Sequence, residues 1–404
     1  MAKKIAVKRK ATVIAQPKSS PDILPVDQQE DIDDLDTPEE WYFGSVLWST
    51  DWTTQTIISQ LNRGNIDLNP RYQRRNAWNE ARKSLFVESL ILGLPIPQII
   101  LAEDKSKKGS FLIIDGKQRL LSLRQFMAGP NDQEFTQLKL TGLKDRPDLN
   151  GMTYPALQQD PDFADELNTF ENQTIRTVVI RDWKDERYLY SVFLRINTGS
   201  VQLSPQELRQ ALHPGLFADF IDEFSMNSVA LTSALNLDEP DFRMRDVELV
   251  LRFFAYKYFG SQYNGNLKGF LDHAVKKLNS AWKAEAKTIK DRAAGLELAL
   301  ATTRTIFTQK HELRKWNGST YEGRINRAVF DIMSFYFSEP GIASAAVKKA
   351  KAIKKAFETL CESDNDFLAS IESTTKSIEA NKIRFRTWAA ALNKHLGTKI
   401  KSPI

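Results

Sequence analysis

Two short stretches concentrate guanidinium, amide and glycine in a pattern suited to an anion. Asn69 to Arg75 reads Asn-Pro-Arg-Tyr-Gln-Arg-Arg, and Asp115 to Arg119 reads Asp-Gly-Lys-Gln-Arg. In the first, Arg71, Arg74 and Arg75 carry forked donors that match phosphate oxygens in pairs, while Tyr72 and Gln73 offer a ring for stacking and an amide for a base or sugar. A solvated, solubilising surface is the plain alternative for this cluster. In the second, a strand that ends at Gly116 and turns at once into a helix exposes the helix's first N–H groups, and a residue without Cβ lets a ligand approach the backbone. Lys117 and Arg119 place cations at that terminus, where they oppose the local dipole unless an anion binds. An ordinary strand-to-helix turn, with Arg119 paired to Asp115, accounts for the same residues equally well, since Asp-Gly is a common turn dipeptide. Asn197, at a predicted helix end, is a third candidate: its amide oxygen suits Mg2+, and an αL cap explains it just as well.

The elements that must position these groups follow from apolar spacing. Thr54 to Arg63 reads as a helix closed by Gly64, and Ile66 and Leu68 alternate with polar neighbours as in a short strand. Asn79 is the expected N-cap of a helix running to Leu92, which Gly93, Pro95 and Pro97 terminate. Gln98 to Ala102 and Ser110 to Ile114 form a predicted hairpin, and a helix from Lys117 carries Leu120, Leu123 and Met127 on its inner face. Residues 129–172 read as an irregular insertion with short helices, and Thr174 to Ile180 as an alternating strand. From Asp185 onward Leu189, Val192, Phe193 and Ile196 fall at helical spacing, and Ser204-Pro-Gln-Glu207 is a capping box that opens the next helix. Beyond Pro214 helical signals dominate, in Val247 to Phe259, Gly269 to Asn279, Arg292 to Phe307, Arg324 to Phe337, Ala345 to Leu360 and Ile383 to His395. The expected class is α+β followed by an all-α region, with a disordered arm over 1–40, a first domain over 41–215 and a helical domain over 216–404.

Composition narrows the chemistry. A 42% hydrophobic and 26% charged chain is an ordinary soluble one. It contains no apolar run near the roughly 18 residues of a membrane span, so no membrane and a cytoplasmic location are expected, with Cys361 reduced. His213, His273, His311 and His395 are dispersed, which excludes a zinc finger by spacing. There is no G-x-x-x-x-G-K-[ST], no G-x-S-x-G and no H-E-x-x-H. The net charge of +5 decides little over 404 residues. Lys348, Lys349, Lys351, Lys354 and Lys355 make the most basic predicted helix, either a solvated face or a nucleic-acid contact.

Four blocks, Asn69 to Trp78, Ser89 to Pro97, Ile114 to Leu120, and Leu194 to Gly199 continuing through Leu203 to Arg209, resemble the N-terminal domain of GmrSD-type modification-dependent restriction endonucleases, of the ParB/sulfiredoxin superfamily. They occur in the family's order and span roughly residues 45 to 215. The resemblance implies a small mixed ParB/sulfiredoxin-like sheet with packed helices that binds and hydrolyses a nucleoside triphosphate with Mg2+. By position it implies Asp115, Gln118 and Arg119 as catalytic residues, Arg71, Arg74, Gly116 and Lys117 on the nucleotide, Asn197 on the metal, and Tyr72, Gln73 and Arg75 on nucleic acid. Lys117 stands where the family usually has glutamine. Full-length family nucleases add a His-Asn-His module whose clustered histidine motif this chain lacks, and the helical half resembles the tail of shorter members. The expected role is a DNA-directed defence activity, with a nuclease or other defence protein supplied in trans. The alternatives are a DNA-binding or DNA-nicking protein that uses no free nucleotide, and a non-catalytic interaction scaffold.

Overall fold

A computed structural model describes residues 45–68, 75, 77–105, 107–196, 204–372 and 376–404. The expectations for the 1–40 arm and for Arg71, Tyr72, Gln73, Arg74 and Asn197 lie outside the described residues. The first half is built on four strands, β1 (Val46–Thr53), β2 (Ile99–Glu103), β3 (Phe111–Asp115) and β4 (Thr174–Arg181), with helices α1 (Thr54–Asn62), α2 (Glu80–Ile91), α3 (Lys117–Phe126), α4 (Tyr154–Gln159), α5 (Ala164–Asn172), α6 (Glu186–Ile196) and α7 (Pro205–Leu212). The sheet order is β1-β4-β2-β3. β2 and β3 are the expected antiparallel hairpin, β4 runs parallel to β2, and β1 pairs antiparallel to β4 along its whole length.

Side chains alternate across a strand with a period of two, and β2 shows the consequence. Ile99 and Leu101 join one core with Leu90, Leu120, Leu123 and Phe126, while Ile100 and Ala102 join a second with Leu189, Phe193 and Leu208. The sheet is therefore covered by α1, α2, α3 and α5 on one side and by α6 and α7 on the other. The helix starts are fixed by caps visible in the sequence. Asn79 accepts from the Arg82 N–H at 2.9 Å, and Ser204 and Glu207 complete a reciprocal capping box.

The second half comprises α8 (Leu216–Asn227), α9 (Val229–Ala234), α10 (Arg245–Phe259), α11 (Leu267–Phe307), a two-stranded β5 (Arg314–Trp316) and β6 (Tyr321–Ile325), then α12 (Arg327–Phe337), α13 (Pro340–Lys348), α14 (Ala350–Ser363), α15 (Asn365–Glu372) and α16 (Ile378–Leu396). Its core closes around α10, on which every residue from Arg245 to Tyr256 is buried. Three features depart from the sequence expectation. The helices expected over 269–279 and 292–307 are one continuous α11 of 41 residues, because 280–291 contains neither glycine nor proline to break it. The helix expected over 345–360 is divided at Lys349, whose N–H bonds Ala346 and whose side chain donates to the His395 carbonyl at 2.8 Å. The β5–β6 hairpin turns at Asn317-Gly318, with Gly318 at φ +94°, a conformation glycine adopts without strain. Among the described residues no helix is long and apolar enough to cross a membrane.

One side chain ties the two halves together. Arg75, expected among the nucleic-acid contacts, is instead fully buried in the helical half. Its Nε donates to Asp222 at 2.9 Å, Nη1 to Asp246 at 2.7 Å and to the Asp241 carbonyl at 2.7 Å, and Nη2 to the Ser225 hydroxyl at 2.8 Å. Burial alone would discourage the charge, but Asp246 and Asp222 outweigh it and hold the guanidinium protonated. Arg75 is a structural ion, and the sequence expectation is corrected on that ground. Replacing Arg75 with alanine strands two buried carboxylates and is expected to cost about 3–5 kcal/mol, read as a lowered urea midpoint. A variant as stable as the parent would refute this assignment.

Candidate functional site

The turn from β3 into α3 has the geometry an anion site requires. Gly116 sits at φ +99°, and no side chain caps α3. The positive φ favours glycine, and a Cβ at this position would crowd Ile99 Cγ1 at 3.1 Å. The helix thus begins with its first N–H groups uncapped by any side chain, in line with the open end of β3.

Arg119 folds back over this turn. Its Nη2 donates to Asp115 Oδ2 at 2.8 Å and to the Gln98 carbonyl at 2.9 Å, so the pairing that explains an ordinary turn is present. That pairing leaves polar capacity over: Arg119 Nε and Gln118 Oε1 are buried without a hydrogen-bond partner. Buried polar atoms are nearly always satisfied, so each of these two asks for a water, an ion or a ligand to complete it.

Lys117 points the other way. Its Nζ meets Glu207 Oε1 at 3.1 Å, with both side chains more than nine-tenths buried. Burial pushes the Glu207 carboxyl above the usual range, while Lys117 and the Ser204 N–H pull it back. From the sequence Glu207 is legible only as the capping-box residue of α7. Its second role, counter-ion to a residue 90 positions earlier, has no local signal.

These interactions draw the motif blocks together. Lys117 of the third block meets Glu207 of the last, and the Ser204 hydroxyl of that block donates to the Arg243 carbonyl at 2.5 Å. Arg75 of the first block binds the carbonyl of Asp241, two residues before Arg243. Described residues of the first and last blocks therefore meet one loop, 241–243, and the third block joins them through the Lys117–Glu207 pair.

Two adjoining cavities flank this junction. A smaller one, about 240 Å³, is lined by Lys117, Glu207, Gln210, Asp67, Lys107 and Ser110, whose hydroxyl has no partner. The larger cleft, about 1010 Å³, lies between α6, α7 and α11 and contains no residue of the Asp115–Arg119 motif. It holds His213 and His273, but among the described residues no group of three or more His, Cys, Asp or Glu is placed to hold a metal ion. Burial pushes the His213 imidazole down against the pull of Asp272 and Glu186. Asp272 is the anchor of this wall. Burial would raise its pKa, yet Arg209 at 2.7 Å and Lys268 at 2.6 Å hold it at about 2.

Comparison with known proteins places one segment. Residues 54–214 match the family model of the GmrSD restriction endonuclease, N-terminal domain, and the match contains all of the described motif residues above. No curated protein and no solved structure matches the chain.

Two outcomes follow from the buried pairs. Lys117→Gln removes the cation facing Glu207 and is expected to destabilise the fold by about 3 kcal/mol, with Glu207→Gln in the same chain restoring most of that stability. A double variant no more stable than the single one in urea unfolding would contradict the pairing. Because the folded-state pKa of Asp272 is depressed, its stabilisation is present above its ordinary value of 3.8 and is lost as pH falls towards about 2. Urea midpoints measured from pH 6 to pH 2 should therefore fall less steeply in Asp272→Asn than in the parent, a difference of about 2 kcal/mol.

Proposed function

Residues 54–214 belong to the GmrSD restriction endonuclease N-terminal domain family, and we propose that this domain binds a nucleoside triphosphate at the β3–α3 turn as part of a restriction-type defence activity. The observation that carries the reading is the uncapped start of α3 at a positive-φ glycine, with Arg119 Nε and Gln118 Oε1 buried and unpartnered beside it. A phosphate there would accept from the N–H groups at the start of α3, which no side chain caps, and from the spare guanidinium donor, and its charge would favour the helix terminus. The linkage of the first and last blocks through the 241–243 loop, and of the third to the last through Lys117–Glu207, supports a single shared site.

In this reading Gly116 lets the phosphates approach, Arg119 holds and neutralises them, and Asp115 keeps Arg119 oriented through its 2.8 Å interaction. Gln118 offers an amide to the phosphates or to an attacking water. Lys117 is engaged by Glu207, so its part is to support the turn from below rather than to touch the ligand. Mg2+ would enter with the phosphates, whose oxygens are its customary partners, together with Asn197. If hydrolysis follows, positioning and charge stabilisation of the phosphoryl group supply the acceleration, with no covalent step on the protein.

The experiment is a thermal-shift and phosphate-release panel with each of the four ribonucleoside triphosphates and Mg2+. At about 100-fold excess over Kd, a ligand specific to the folded state adds about 2.7 kcal/mol of stability. At least one triphosphate is expected to raise the melting temperature of the parent and not of Arg119→Ala. If none of the four does, the nucleotide reading is wrong. If Arg119→Ala instead abolishes salt-sensitive DNA binding in the absence of nucleotide, the site is a backbone-phosphate contact.

A further inference from the structure

A basic asymmetry among the described residues lies in the helical half, outside the β3–α3 motif. Residues 340–357 and 380–404 together contain eleven Lys and Arg and not one Asp or Glu, although the whole chain carries an excess of only five positive charges. Everything outside these two segments is therefore net acidic. The fold brings the two together. α13 and α14 both pack on α16, and Lys349 at the α13–α14 break donates to the His395 carbonyl in the last turn of α16. The tail after α16 folds back on it: Asn393 bonds both the N–H and the carbonyl of Ile400, and Arg386 donates to the Ile404 carbonyl at 3.3 Å.

On this joined surface Lys348, Lys349, Lys351 and Lys355 are exposed from α13 and α14, and Arg386, Lys394, Lys399 and Lys401 from α16 and the tail. Of the acidic residues closest in sequence, Glu358 and Glu362 accept from Tyr321 and Trp316 on the β5–β6 hairpin and Glu339 pairs with Lys257, while the exposed Glu379 stands in the first turn of α16, the end opposite Lys394. Eight like charges on adjoining elements repel one another, a cost that a polyanion relieves.

The side-chain types specify the polyanion. Val347 is the one large apolar residue exposed on these elements among the described residues, so the face has no anchor for insertion between lipids. Among the described residues no aromatic ring is exposed there for stacking on unpaired bases. Seven of the eight cations are lysines, point charges that meet phosphates without reading bases. We propose that the α13–α14–α16 face is a sequence-independent docking surface for the phosphate backbone of duplex DNA, separate from the β3–α3 site and independent of any nucleotide there.

The test uses the full chain, a labelled duplex of arbitrary sequence and fluorescence anisotropy over a series of salt concentrations, without nucleotide. Two triple variants, Lys348→Gln/Lys351→Gln/Lys355→Gln and Lys394→Gln/Lys399→Gln/Lys401→Gln, remove exposed charges and leave the core intact. As a control, Lys283→Gln/Lys287→Gln/Lys290→Gln removes the same charge from the middle of α11, where Glu285 and Asp291 are interspersed. Each face variant is expected to weaken binding at least tenfold at low salt and to flatten the slope of log K against log salt by about 0.9 for each phosphate no longer neutralised. The control should stay within about twofold, because its charge change acts only at long range and is screened. The measurement contains no nucleotide and compares only lysine variants away from the β3–α3 turn, so failure of the nucleotide site leaves this outcome untouched. Equal effects of all three triple variants, or no effect of either face variant, would overturn the proposal. So would lysine-dependent binding to phosphatidylserine vesicles with none to DNA.

Discussion

A single buried guanidinium holds this architecture in register. Arg75 belongs by sequence to a loop beside the sheet, yet each nitrogen of its planar head is met by groups of α8, α10 and the loop between them. An ion taken so completely out of water tolerates little misalignment: removing one carboxylate leaves the charge both buried and undercompensated. The sheet half and the helical half are consequently fixed relative to one another at the place where the motif segments end. Lysine could not substitute, since its point charge cannot satisfy separately placed acceptors around one plane.

A second buried pair extends this arrangement. Lys117 and Glu207 neutralise each other beneath the first turn of α3, and Glu207 simultaneously closes the capping box of α7. One carboxylate thus orients two helix termini. The consequence for the domain is a division of labour within five consecutive residues. Arg119 folds back onto Asp115 and the Gln98 carbonyl, whereas Lys117, two positions earlier, secures the turn to α7. Lys117 has a structural partner in Glu207.

Features governed by neighbours along the chain were legible in the sequence. The hairpin of β2 and β3, the cap at Asn79, the glycine stop before α3 and the Ser204–Glu207 box are set by periodicity and backbone chemistry within a few residues. What escaped was set by residues far apart. The partners of Arg75 lie 147 to 171 positions downstream, and nothing local marks an arginine in an arginine-rich run as the one that turns inward. The same holds for Lys117 and Glu207, 90 positions apart. The β5–β6 hairpin is a different kind of omission: its Asn317-Gly318 turn is a strong hairpin signal, outweighed by the helical pattern around it.

The unbroken α11 carries a mechanical corollary. Forty-one residues at 1.5 Å each make a rod about 60 Å long, roughly twice the diameter of a small domain. Lys268 and Asp272 near its start wall the cleft beside the sheet, and further along it packs on α13 and α14. One continuous helix thus spans the distance from the cleft to the lysine-bearing helices.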